Sequence, residues 1–155
     1  VKTIAHTDEK VLLAEFAAFV DKTYKSKELT LVAHNGKEFD FPYLCRRMPI
    51  HRIKLPLLLN IAGKKPWEVA HLDTMELWKF GDYKAFTSLA LLCHVFQIPT
   101  PKDDIDGSKV WEVYWVEKNL ERIVTYCRKD TLTVAQLLLK FRGQEILRPD
   151  QIEIV

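Results

Sequence analysis

Two carboxylates, Asp40 and Asp130, stand at positions where a metal ion can be bound. Asp40 follows a short apolar segment and a chain reversal at Asn35-Gly36, and it would lie in the first turn of a helix. Asp130 lies on a long helical pattern four residues after Tyr126, so the two side chains share one helix face. Carboxylate oxygens are hard ligands that suit Mg²⁺ or Mn²⁺ better than zinc. The pattern therefore predicts a metal site built from acids.

Each acid taken alone has a plainer explanation. Negative charge in the first turn of a helix complements the helix dipole by roughly 0.3 to 1 kcal/mol, which explains Asp40 without a metal. Asp130 stands beside Cys127 and Val134 at the margin of an apolar stripe, where an Arg or Lys can also satisfy a carboxylate. The spacing of the acids leaves both explanations open.

Together the two motifs resemble the second and third motifs of the DEDD superfamily of 3′-to-5′ exonucleases, in its tyrosine branch. The second motif, Asn-x-x-x-Phe-Asp, is met by Asn35, Phe39 and Asp40. The third motif, Tyr-x-x-x-Asp, is met by Tyr126 and Asp130. The histidine branch would need a His five residues before the last Asp, and none stands there. Two short motifs in the right order make a strong joint signal.

The segments between the motifs are similar to the exonuclease domain of family-B DNA polymerases. They are His71 to Met75, expected as a strand, Ser88 to Leu92, expected as a helix, and Lys102 to Ile105. Asp73, within the first segment, is expected to be structural. The resemblance covers nearly the whole chain and implies an α/β, RNase H-like exonuclease fold.

The resemblance also implies roles for the motif residues in hydrolysis of a phosphodiester at a 3′ end. Asp40 and Asp130 would be catalytic ligands of Mg²⁺ or Mn²⁺, with two ions in the complete protein. The Tyr126 hydroxyl would orient the attacking water, because an unperturbed pKa near 10 makes it a poor base. Asn35 would contact the terminal nucleotide. Phe39 is also assigned to substrate binding, and its ring is expected to pack under the site.

The family's first motif, Asp-x-Glu on an N-terminal strand, does not occur in the 155 residues. The chain is therefore expected to be the C-terminal part of a longer exonuclease domain and to be inactive alone. A natural variant that has lost catalysis is the other explanation of the missing motif. The alternative function is a noncatalytic nucleic-acid-binding or scaffolding domain. An Asp-x-Glu upstream of Val1 would favour the enzyme.

A basic run follows the second motif. No acid lies between Asp40 and Glu68, whereas six cations do, namely Arg46, Arg47, Arg52, Lys54, Lys64 and Lys65. Four of these are predicted to bind substrate phosphates, and they are Arg46, Arg47, Lys64 and Lys65. A solvated loop face is the alternative. The expected partner is the 3′ end of a single strand, DNA in preference to RNA, and the sequence names no polymerase or repair partner.

Composition agrees with one domain over residues 1–155. The chain is 48% apolar and has a net charge of +2, so it is no polycation that coats nucleic acid. No apolar run approaches the ~20 residues that cross a bilayer, and a cytoplasmic protein is expected. Cys45, Cys93 and Cys127 are expected as reduced core residues. Trp111, Tyr114 and Trp115 are expected to pack before the last helix.

Hydrophobic periodicity predicts helices alternating with strands. The predicted helices are Asp8 to Lys22, Phe39 to Arg47, Phe86 to Phe96 and Asn119 to Phe141, and a short one is possible over Lys54 to Gly63. The predicted strands are Leu29 to Ala33 and His71 to Leu77. This alternation favours a parallel pair with crossovers. Two strands make a poor sheet, so the flanking strands are expected on a preceding part of the protein.

Overall fold

The computed structural model describes residues 1–26, 29–99 and 105–155. Most of the segment Lys102 to Ile105, which resembles family-B exonucleases, lies outside these residues. The chain forms two compact units. One comprises Ile4–Ala85, and the other comprises Val1–Thr3 together with Phe86–Val155.

Among its described residues, the unit of Ile4–Ala85 contains three helices and a two-stranded sheet. In chain order they are α1 (Glu9–Ser26), β1 (Val32–Ala33), α2 (Asp40–Ile50), β2 (Leu72–Asp73) and α3 (Thr74–Lys79). Short 3₁₀ turns cover Leu57–Leu59 and Pro66–Glu68. The strands are parallel, with Val32 opposite Leu72 and Ala33 opposite Asp73. This confirms the predicted parallel pair with a crossover.

The core of this unit is formed by α1, α2 and the first 3₁₀ turn. Its buried side chains are Leu13, Ala17, Phe41, Met48 and Leu59. The helix α1 begins where the sequence predicts, because the Asp8 Oδ1 atom accepts the N–H groups of Lys10 at 2.8 Å and Val11 at 3.3 Å. Such a cap satisfies backbone donors that have no partner inside the helix.

Both strands are much shorter than predicted. The strand expected over His71 to Leu77 is wrong beyond Asp73, because α3 begins at Thr74. The cause is local: the Asp73 side chain accepts the N–H of Met75 at 3.0 Å and so acts as a helix N-cap. The possible helix over Lys54 to Gly63 is only the 3₁₀ turn at Leu57–Leu59.

The other unit is helical. It contains α4 (Leu89–Val95), α5 (Val110–Trp115), α6 (Leu120–Phe141) and a 3₁₀ turn at Pro149–Gln151. Side-chain caps set two of the helix starts. Ser88 Oγ accepts the N–H of Leu91 at 3.3 Å, and Asn119 Oδ1 accepts that of Arg122 at 3.1 Å. The long last helix therefore lies within one residue of its predicted bounds.

The two ends of the chain meet in this unit. The N–H of Thr3 donates to the carbonyl of Val155 at 3.2 Å, and the N–H of Val155 donates to the carbonyl of Val1 at 2.9 Å. Arg128 on α6 adds a side-chain bond, from Nε to Thr3 Oγ1 at 2.6 Å. These bonds fix both terminal segments in the same unit as α6.

Several side chains expected in the core are exposed. Cys93 is buried and Cys45 is partly buried, but Cys127 is exposed, so its assignment to the core is wrong. Trp111 and Trp115 are also exposed, and Val113 is the buried residue of α5. Trp111 and Trp115 are one helical turn apart and share a face, and α5 turns the opposite face, that of Val113, inward.

The architecture is mostly helical with a small parallel sheet, which is compatible with an α/β fold. Within residues 1–26, 29–99 and 105–155, no helix is both long enough and apolar enough to cross a membrane.

Candidate metal centre and substrate-binding residues

A buried carboxylate holds the turn that precedes Asp40. Asp73 is 2% exposed and accepts three backbone N–H groups: from Asn35 at 2.9 Å, from Lys37 at 3.0 Å and from Met75 at 3.0 Å. Buried carboxylates are costly unless their oxygens are hydrogen-bonded, and these are. Asp73 therefore has the structural position that the sequence predicts, and it fixes the Asn35-Gly36 turn against β2.

The turn itself demands a glycine. Asn35 has φ 62°, a left-handed conformation that Asn tolerates better than most residues. A Cβ atom on Gly36 would lie 2.3 Å from the Ala33 Cβ and 3.2 Å from Asp40 Oδ2. The turn then leads into α2, since the N–H of Phe41 donates to the Gly36 carbonyl at 2.9 Å. The close approach places the backbone of the turn directly beside the Asp40 carboxylate.

Asp40 lies in the first turn of α2, as the sequence predicts, and is its first residue. Its side chain reaches solvent, yet partial desolvation raises the pKa of the carboxyl group, and the nearby Asp73 carboxylate raises it further. In the part of the chain that the structure describes, no Lys or Arg forms a salt bridge with Asp40. A partly desolvated acid beside a second acid favours the approach of a cation.

Tyr126 and Asp130 lie on one face of α6, both partly buried. Burial and the hydrogen bond that the phenol donates to the Asp130 carboxylate raise the pKa of Tyr126 to about 12. The phenol therefore keeps its proton at neutral pH and acts as a hydrogen-bond donor. This agrees with the prediction that Tyr126 is no general base.

The described residues contain no group of three or more His, Cys, Asp or Glu side chains that can hold a metal ion. Asp40 belongs to the unit of Ile4–Ala85, and Asp130 belongs to the other unit. The prediction that both carboxylates are ligands of the same metal ions therefore stays a prediction.

Phe39 does not pack under the site, and that expectation is wrong. Its ring is 66% exposed and stacks on Tyr43, with centroids 6.2 Å apart and planes at 11°. The reason is its place: Phe39 precedes the first residue of α2, and Tyr43 lies one turn further on the same outward side. An exposed ring remains suited to the substrate-binding role assigned to Phe39. The pairing with Tyr43 was not apparent from the motif.

The four predicted phosphate-binding residues differ in whether their charges are already paired within the protein. Arg47 is held by Glu9: its Nε donates to Oε1 at 2.6 Å, and a terminal nitrogen donates to Oε2. His51 joins the same carboxylate at 2.8 Å. This cluster holds α1 to α2, so Arg47 is the least available of the four cations. Arg46, Lys64 and Lys65 are exposed.

A family model for predicted 3′-5′ exonucleases related to the exonuclease domain of PolB matches residues 1–147. The chain belongs to this family. The match confirms the resemblance drawn from the two motifs, and both motifs lie within it. No solved structure matches the chain.

Membership of this exonuclease-related family changes how the two acids are interpreted. The helix-dipole explanation of Asp40 and the helix-border explanation of Asp130 each treat one acid alone. The family match covers both acids together with the other motif residues, Asn35, Phe39 and Tyr126. The match also favours an exonuclease-like domain over a noncatalytic scaffold.

Proposed function

We propose that this chain is part of a metal-dependent 3′-to-5′ exonuclease that degrades single strands, DNA in preference to RNA. The observation that carries the proposal is the family match over residues 1–147, within which both acidic motifs are intact. An RNase H-like fold is part of the proposal, and the parallel pair of β1 and β2 is compatible with it.

Asp40 and Asp130 are the proposed metal ligands. Their hard oxygen donors suit Mg²⁺ or Mn²⁺, and Asp40 has the electrostatic surroundings that a cation relieves. The Gly36 turn supports this fit, since a Cβ at Gly36 would lie 3.2 Å from Asp40 Oδ2 and fill space beside the ligand. When bound, two such ions would supply an activated water and charge stabilisation at the phosphate.

The chain's other residues position the substrate and the water. Tyr126 keeps its proton, because the pKa of its phenol is about 12, and while it donates this proton to Asp130 its oxygen can accept a hydrogen bond from a water molecule and orient it. Asn35 and the exposed Phe39 are proposed to bind the terminal nucleotide. Arg46, Lys64 and Lys65 are proposed to contact phosphates, and Arg47 joins them only if it leaves Glu9.

Nuclease assays on single strands labelled at either end test the proposal. Since no Asp-x-Glu occurs in these residues, cleavage by the 155-residue chain alone is expected to be weak or absent. A protein that carries the pair on a preceding strand is expected to shorten the strand from its 3′ end in Mg²⁺ or Mn²⁺. EDTA should abolish that activity.

Substitutions identify the ligands. In the active protein, Asp40→Asn or Asp130→Asn should each lower the rate by at least roughly a hundredfold, because even groups that only support a metal ligand contribute 10 to 100-fold. Tyr126→Phe should slow the reaction less, since it removes no ligand. Asp21→Asn, an exposed acid on α1 outside both motifs, is the matched control. Full activity of Asp40→Asn would reject the assignment, and binding without any cleavage would favour the noncatalytic alternative.

A further inference from the structure

Trp67 is the most exposed of the four tryptophans. Its side chain is 78% exposed in the 3₁₀ turn at Pro66–Glu68, whereas Trp111 is 66% and Trp115 is 57% exposed. The turn is fixed from within, because the N–H of Lys65 donates to Glu68 Oε2 at 2.8 Å. Tryptophan is enriched at interfaces, because its ring combines a large apolar surface with an N–H donor.

The charge around this ring is positive. The Lys65 Nζ atom lies 5.3 Å from the centre of the Trp67 ring, a cation–π contact, and Lys64 is exposed next to it. No acid occurs from Phe41 to Trp67, and the carboxylate that follows, Glu68, accepts the N–H of Lys65. An exposed aromatic ring beside exposed lysines is complementary to a nucleotide, because the ring can stack on the base and the lysines can contact the phosphates.

We propose that Trp67 is a stacking platform for one base of a single-stranded nucleic acid, with Lys64 and Lys65 contacting the adjacent phosphates. The inference rests on the proposed function and deepens it, because it adds a substrate contact outside the two acidic motifs. Every base has an apolar face, so this contact is independent of sequence. It favours single strands over duplexes, whose bases are already stacked.

The tryptophan Trp111 of α5 provides the contrast. It lies between two nearby acids, Asp106 and Glu112, whereas no acid precedes Trp67 back to Phe41. Trp115 is no contrast, because the Lys118 Nζ atom lies 5.1 Å from the centre of its ring. Trp111 is therefore the matched control for Trp67.

The test measures binding without cleavage. The 155-residue chain is titrated in EDTA with a short labelled single strand, and both anisotropy and tryptophan fluorescence are recorded. Trp67→Leu, which keeps an apolar side chain but removes the ring, should weaken binding by about tenfold, the loss expected for one stacked base. Trp67→Phe should retain most of the affinity. Trp111→Leu should change it by less than about twofold.

Two further measurements distinguish base stacking from electrostatic attraction between the lysines and the phosphates. Bound single strand should quench the fluorescence of the unaltered chain, and Trp67→Phe should remove most of that quenching. Lys65→Gln should reduce the slope of log affinity against log salt by about 0.7.

The outcomes distinguish this inference from the proposed function. If single strands bind but Trp67→Leu binds as tightly as the unaltered chain, the stacking site is rejected and the exonuclease proposal stands. If Trp67 is required for binding but no form of the protein cleaves 3′ ends, the stacking site stands and the exonuclease proposal falls. Absence of any single-strand binding by the chain overturns the stacking site.

Discussion

At the scale of single residues, the candidate site depends on backbone contacts more than on the acids themselves. Asp73 accepts three N–H groups and Gly36 lies against Ala33, and together they determine where Asp40 begins its helix. Neither residue is a proposed metal ligand. Their substitution should nevertheless disturb the ligand, because the position of Asp40 follows from the turn.

Gly36→Ala tests this dependence on the turn. The new methyl group would lie 2.3 Å from the Ala33 Cβ, so β1 or the turn must move, and overpacking of this kind costs about 1 to 3 kcal/mol. Urea unfolding should show that loss of stability. Gly107→Ala is the control, since a Cβ there meets nothing within 4 Å. Equal stability of the two variants would contradict the close approach seen at Gly36.

Tyr126 offers a second test at this scale. Because folding raises the pKa of its phenol from about 10 to about 12, the protonated form is favoured in the folded state. The resulting stabilisation is complete below pH ~10 and is lost as the pH rises through about 12.

The phenol's titration is followed by ultraviolet difference absorbance between the chain and Tyr126→Phe. Asp130→Asn should lower the pKa of Tyr126, although burial keeps it above its ordinary value. Asp150→Asn serves as the control acid. An unchanged Tyr126 titration in Asp130→Asn would argue against the hydrogen bond along α6.

At the scale of elements, a charged cluster joins α1 to α2. Glu9 near the start of α1 accepts bonds from Arg47 and His51 at the end of α2. The Arg47 hydrogen bond is the main reason that the pKa of Glu9 is lowered to about 2, with a further contribution from His51. The helix that carries Asp40 is thus held at its far end by an ion pair.

Glu9→Gln should reduce the melting temperature at neutral pH. Since the folded pKa of Glu9 is below its ordinary value of 4.5, the stabilisation is present above pH 4.5 and is lost as the pH falls toward about 2. The difference between Glu9→Gln and the unaltered chain should therefore shrink over that range in thermal unfolding. Glu15→Gln, an exposed acid on the same helix, is the control. A pH-independent difference would show that packing, and not charge, accounts for the effect.

Helices were predictable from sequence because their signals are local. The spacing of apolar residues predicted helix starts at Asp8, Phe39 and Asn119, each within one residue of the observed start. The strands were not predictable in length, since β-branched and apolar residues continue beyond Asp73 while its side chain already caps α3. Periodicity also could not show that Cys127 is exposed.

The candidate site was predictable only in part, for a related physical reason. Motif spacing identified Asp40, Tyr126 and Asp130, and helix geometry alone was enough to place the last two on one face. Pairing of Arg47 with Glu9 is a contact between residues far apart in the chain, and nothing in the basic run distinguishes Arg47 from Arg46. The outward stacking of Phe39 on Tyr43 was not predictable either, because it depends on the exact residue at which α2 begins.

At the scale of the whole molecule, the two acidic motifs belong to separately organised units of one exonuclease-related chain. One acid proposed as a metal ligand belongs to each unit. Variants at Asp40 and Asp130 therefore examine different parts of the fold. Similar losses of activity from both would show that the same reaction needs both units.

The meeting of the chain ends has a consequence for folding order. Because Val1 and Thr3 bond to Val155, the unit of Ile4–Ala85 is an insertion within the other unit's sequence. The insertion is continuous and can complete its contacts while later residues are still being synthesised. The other unit depends on contacts between positions about 150 residues apart, and contacts of such sequence separation form slowly. The Asp40 turn is thus expected to form before the contacts that join Val1 and Thr3 to Val155.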